Sequence, residues 1–140
     1  MEALANQPHW TYPYLSKGYD AEGLGPDAYS CWGLLLEVQR THYGIEIPNV
    51  WHIEDPRARQ RAFLREIRKW EVKPPTYMKD GCPVFMGRGS EMHVGCWVAF
   101  TDPINPIMMF HSLEKFGPCL STPLELKLLG LTPRNTWIKK

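Results

Sequence analysis

A chain of 140 residues, with 44% hydrophobic and 12% aromatic content, is long enough for one domain with a real core. A formal net charge of +1 argues against a nucleic-acid binder or a partner of strongly acidic surfaces. No apolar run reaches the roughly 18–20 residues needed to cross a bilayer, and the start MEALANQPHWTYPY lacks both the basic opening and the apolar stretch of a secretory signal.

Residues 1–30 carry tyrosine, proline and glycine without any persistent period, so they read as an irregular leading segment, of the kind that often lines a site. YSCWGLLLEV then opens a helix over 31–43. Ser30 is a good N-cap, Trp32, Leu35, Leu36 and Tyr43 share a face that Leu34 and Val38 widen, and Gly44 is a natural stop. Asp55-Pro56 caps a second helix over 55–70, with Phe63, Ile67 and Trp70 as its apolar stripe. Its arginines, Arg57, Arg59, Arg61, Arg65 and Arg68, read as a solvated outer face rather than a polyanion site. EVKPPTYMKDG is a turn-rich connector.

Beyond it the pattern changes to strands: CPVFM (82–86), HVGCWVAF (93–100), IMMFHS (107–112) and PCLST (118–122). Between them lie GRGSE, TDPINP and LEKFG, which are turn sequences. TPLELKLLGLTP holds a short helical turn, and NTWIKK closes the chain as a strand. Helices followed by a small antiparallel sheet make an α+β domain spanning residues 1–140.

The four cysteines, Cys31, Cys82, Cys96 and Cys119, stand at long uneven gaps with no C-x-x-C pair. That spacing speaks against a structural metal, and without a signal peptide they read as reduced thiols. Cys82, Cys96 and Cys119 fall in strand patterns and read as core. Cys31 is different, because unpaired N–H groups and the dipole at a helix N-terminus favour a thiolate. A thiol nucleophile needs a base, and the base needs a group that orients its ring. His42 lies some three turns down the same helix. His93 opens one strand and His111 ends another, so antiparallel neighbours would bring the two rings to one sheet edge. Trp10, Tyr12, Tyr14 and Trp32 are candidates to wall a groove for an extended substrate.

Three segments, in order, resemble the NlpC family of papain-like cysteine peptidases. YSCWGLLLEVQRTHYGIEIP is similar to the family's nucleophile segment, MHVGCWVAF to its base strand, and MMFHSLEKFGPCLSTPL to the strand that follows. The CWGL form and YPYLSKGYDAEG look more like the phage tail-associated branch. The residue before the cysteine, usually aspartate in the family, is Ser30, and the acidic residue near the base strand, Asp80, precedes Gly81 instead of following it.

The resemblance implies a papain-like NlpC-type fold with Cys31 as nucleophile, His93 as general base and His111 as orienting residue. It places Tyr14, with Tyr19 as a second candidate, and Trp32 at the substrate or oxyanion side, and it calls for no metal or organic cofactor. The implied substrate is a peptidoglycan peptide, and the implied partners are other phage tail-tip or hub proteins, with neither nucleic acid nor membrane. The implied location is the virion, after synthesis in the bacterial cytoplasm. A structural tail or hub protein with a degenerate peptidase fold is the alternative.

Overall fold

The computed structural model describes residues 8–88 and 91–140. Within them, three α-helices and six strands form an α+β architecture. Helix α1 spans Cys31–Tyr43, α2 spans Pro56–Ile67 and α3 spans Pro123–Leu128. The strands are β1 (Trp70–Lys73), β2 (Pro83–Arg88), β3 (Glu91–Ala99), β4 (Ile107–Leu113), β5 (Gly117–Ser121) and β6 (Thr132–Lys139). They make one sheet in the order β1-β6-β2-β3-β4-β5, every neighbouring pair antiparallel. No helix among the described residues is long and apolar enough to cross a membrane.

The period-two alternation of the strands gives the sheet two apolar faces. Val94, Cys96, Val98 and Phe110 pack with Leu34, Leu35 and Val38 of α1. Val84, Met86, Trp97 and Met109 meet Leu126 of α3 and Leu131 on the other face. Each fully buried leucine or valine contributes about 1.5–3 kcal/mol, which is what holds α1 across β3 and β4.

Two local devices fix the start of α1. The Ser30 hydroxyl accepts the Gly33 N–H at 2.9 Å, the N-cap bond that its position leads one to expect. The Gly23 carbonyl then accepts the Ser30 N–H at 2.9 Å, tying the leading segment to the helix. Gly33 is what permits this, since a Cβ there would collide with the Gly23 carbonyl oxygen. Gly33→Ala is therefore expected to destabilise the chain by about 2–3 kcal/mol, read as a lowered urea midpoint. An unchanged midpoint would show that the leading segment is not clamped in this way.

The structure departs from the sequence reading in two places. The second helix stops at Ile67, and Trp70 instead opens β1, opposite Lys139 of β6. Burial of the Trp70 ring in the sheet outweighs its helical spacing. The closing strand is longer than NTWIKK, beginning at Thr132 and inserting between β1 and β2. Of the GRGSE turn, residues 89–90 lie outside the described residues, and β2 and β3 reach its ends at Arg88 and Glu91.

Candidate active site

Cys31 is the first residue of α1. The Gly33 N–H is taken by the Ser30 cap and the Leu34 N–H by the Ser30 carbonyl at 3.0 Å. The N–H groups of Cys31 and Trp32 therefore have no intrahelical partner, and both favour the ionised Cys31 sulfur, together with the backbone N–H of Val94. Burial acts against them and prevails, so the thiol is pushed up from its ordinary value. Upstream, the Ser112 hydroxyl donates to the Tyr29 carbonyl at 2.7 Å, which pins the chain just before Cys31 to β4.

The Val94 contact sets the sulfur at the amide immediately after His93. The β3–β4 ladder begins at Gly95↔His111. Val94 and His93 thus extend beyond the last pair, at the opening where β3 leaves β4. Alternation places His93 and His111 on the sheet face shared with Trp97 and Met109, opposite the face on which α1 packs, as diagonal neighbours across Gly95, so Cys31 and His93 can meet only at the open end where β3 and β4 part. Their rings bond directly, His93 Nε2 to His111 Nδ1 at 2.9 Å. Gly95 leaves them room, because a Cβ there would stand 3.0 Å from the His111 Cβ.

His111 is fully buried, and its Nε2 meets the Ser121 hydroxyl at 2.8 Å. Burial first, and the neighbouring His93 second, push its pKa down to about 3. A neutral His111 suits a chain in which His93 Nε2–H donates to His111 Nδ1 and His111 Nε2–H donates to Ser121 Oγ. In that arrangement His93 Nδ1 is the unprotonated, accepting nitrogen, the form a base requires.

The His111 shift also makes stability depend on pH. The unfolded imidazole binds a proton below about 6.5, while the folded one resists until about 3. Its contribution is therefore complete above 6.5 and is lost as the pH falls through this window, at up to about 1.4 kcal/mol per pH unit. His42, also lowered by burial, adds in the same direction. His111→Asn is expected to flatten the acid limb of a urea-midpoint against pH plot; an unaltered limb would contradict a buried neutral ring.

The remaining residues expected at the site fare differently. The Tyr14 hydroxyl is not brought to Cys31. It lies 3.0 Å from His42 Nε2 and donates to Glu37 Oε2 at 3.3 Å. At a rise of 1.5 Å per residue Glu37 and His42 stand about 9 and about 16 Å along the helix from Cys31. Burial and Glu37 hold the phenol strongly protonated. Trp32 is buried, donates its indole N–H to Asn49 Oδ1 at 2.9 Å and stacks on Trp51, so its ring belongs to the core and its backbone N–H to the site. Trp10 stacks on His42 at 3.9 Å between centroids, walling the flank of the helix instead of a groove at the thiol. Tyr19 is half-buried and follows Gly18, whose carbonyl accepts the Tyr29 N–H at 2.9 Å. That bond keeps Tyr19 beside the segment leading to Cys31.

Three further residues belong to the site. Ser112 and Ser121 bear on it through the bonds described. Cys119, expected in the core, is only partly buried, with Sγ 3.6 Å from His111 Nε2. Their signal is the β4–β5 register, His111↔Cys119 and Met109↔Ser121, which the sequence does not disclose. Among the described residues, no group of three or more His, Cys, Asp or Glu is placed to hold a metal ion. Set against known proteins, the chain matches no family model and no curated protein.

Proposed function

We propose that this chain is a cysteine peptidase of papain-like NlpC type that hydrolyses amide bonds in peptidoglycan peptides. The observation that carries the reading is the His93–His111 bond at 2.9 Å, set one residue from the amide that faces a helix-N-terminal cysteine. The choice of peptidoglycan, and a place in a phage tail tip or tail-like particle that opens the wall during genome delivery, rest on the resemblance of the three segments.

Burial favours a protonated Cys31 at rest, so the reading is a general-base mechanism, not a standing ion pair. His93 Nδ1 takes the thiol proton as sulfur attacks the amide carbonyl. The oxyanion that forms faces the backbone N–H groups of Cys31 and Trp32, each such donor being worth about 3–4 kcal/mol of barrier. Tyr19 is the side chain left to add another. The tetrahedral adduct collapses as His93 returns the proton to the leaving amine, giving a thioester. Water, deprotonated by His93, then releases the acid and restores the thiol. His111 holds the ring of His93 in the required tautomer, and Ser121 holds His111.

The test is incubation of the purified protein with peptidoglycan and identification of released fragments by mass. Fragments newly ended at one type of peptide bond support the reading, and an unchanged polymer opposes it. The burial that raises the Cys31 thiol equally favours the alternative, a structural hub with a degenerate peptidase fold. Such a hub would assemble normally while releasing no fragment.

A further inference from the structure

On the α1 side of the sheet, Trp51, Phe63 and Met92 wall a surface groove of about 480 Å³, edged by Arg59 and Gln60 of α2. A cleft of that size, mostly apolar with a few polar groups, is the usual form of a ligand site. Trp51 and Met92 are 40% and 49% exposed, so an indole and a thioether offer apolar surface for a ligand to cover. Three links set the groove beside the thiol. The Trp51 ring stacks on that of Trp32, the residue after Cys31, at 5.5 Å between centroids. Phe63 stacks on Phe85 at 5.7 Å, and Phe85 stands opposite Val94, whose amide N–H meets the Cys31 sulfur. Met92 precedes Val94 by two residues on β3 and so shares its face, about 7 Å further along the strand. The groove therefore runs from the thiol towards the end of β3 that β4 leaves unpaired, over a length of about two residues of extended peptide.

The charge at its edge narrows the ligand. The Arg59 guanidinium reaches the Ile53 carbonyl from Nη1 at 3.5 Å, long for a hydrogen bond. Among the described residues no carboxylate forms an ion pair with it. Its fork of donors is left to take a carboxylate in two parallel bonds. One guanidinium suits one carboxylate. A nucleic-acid backbone is held by a row of cations, and among the described residues Arg59 is the one cation that lines this groove. A purely apolar segment would cover Trp51 and Met92 and leave the guanidinium unused. A cationic segment would be repelled by it. An acidic peptide with short apolar neighbours satisfies both parts of the lining.

We propose that this groove is a substrate subsite for acidic peptides, with a side-chain carboxylate on Arg59 and the adjoining apolar groups against Trp51, Phe63 and Met92. It rests on the peptidase reading for the bond that reacts beside it, but binding is measured without turnover. Acetyl-Ala-Glu-Ala amide would be titrated into the full chain carrying Cys31→Ala, beside acetyl-Ala-Gln-Ala amide at matched ionic strength. The indole N–H of Trp51 and the methyl group of Met92 would be followed by NMR. Saturable movement of both signals with the Glu peptide is expected, weakened about tenfold or more with the Gln peptide and in Arg59→Gln. Arg59 is exposed, so its replacement spares the fold. Arg61→Gln, on the same helix but outside the groove, is expected to bind as before. Signals that do not saturate, equal affinity for the two peptides, full affinity in Arg59→Gln, or an equal loss in Arg61→Gln would overturn the subsite. Fragment release from peptidoglycan by the unmodified chain is read separately. Release without peptide binding removes the groove alone, and Arg59-dependent binding without release removes the reaction and leaves the groove a site for acidic peptides.

Discussion

On the proposed peptidase reading, Cys31→Ala is expected to abolish release of peptidoglycan fragments, lowering the rate by about four orders of magnitude or more, as loss of a nucleophile does in acyl-transfer enzymes. The fold should survive. The side chain stands on the first turn of α1 with its sulfur turned to backbone N–H groups, and the cap bond of Ser30 to Gly33 does not involve it. A cost of about 1 kcal/mol is the ordinary one for such a change, so a near-normal urea midpoint beside a lost activity separates chemistry from folding. Retention of the unmodified rate would move the nucleophile elsewhere. Cys119 would be the first place to look, since its Sγ lies 3.6 Å from His111.

His93→Ala is expected to lose about three orders of magnitude or more in the same assay, because a thiol raised by burial depends on its base more than a freely ionised one does. Combining His93→Ala with Cys31→Ala should cost no more than Cys31→Ala alone, the result expected when two groups act as one unit. The loss should also exceed that caused by Ser121→Ala, which leaves both histidine rings bonded to each other and removes only the outer support of His111. A His93→Ala protein with activity within a few-fold of the unmodified chain would leave the histidine pair a purely structural feature.

Much of this was legible in the sequence where local rules govern. Ser30 before an apolar helical run gave the cap, Gly44 the stop, and the alternation of HVGCWVAF the two-faced central strand. The meeting of His93 and His111 follows from antiparallel geometry, given that β3 and β4 are neighbours. What the sequence concealed is non-local. Nothing in WEVK or NTWIKK says that β6 lies between β1 and β2, because pairing partners are chosen by the whole sheet. Tyr14 sits close to Cys31 in sequence, yet its hydroxyl goes to Glu37 and His42. In a leading segment without periodicity, position along the chain does not tell which side of a helix a ring will reach. Ser121 depends on cross-strand register, which one strand alone does not carry. Glu66 stands three residues after Phe63 and next to Ile67, inside the apolar stripe of α2, and is buried there.

The central claim is that the Cys31 sulfur and the His93 ring operate as one pair. The measurement that tests it most directly is the rate of Cys31 alkylation by iodoacetamide as a function of pH, mapped by mass to that residue, in the unmodified chain and in His93→Ala. A coupled pair predicts an ionisation step in the unmodified profile that disappears in His93→Ala, leaving only the late rise of an isolated buried thiol. Superimposable profiles for the two proteins would contradict it.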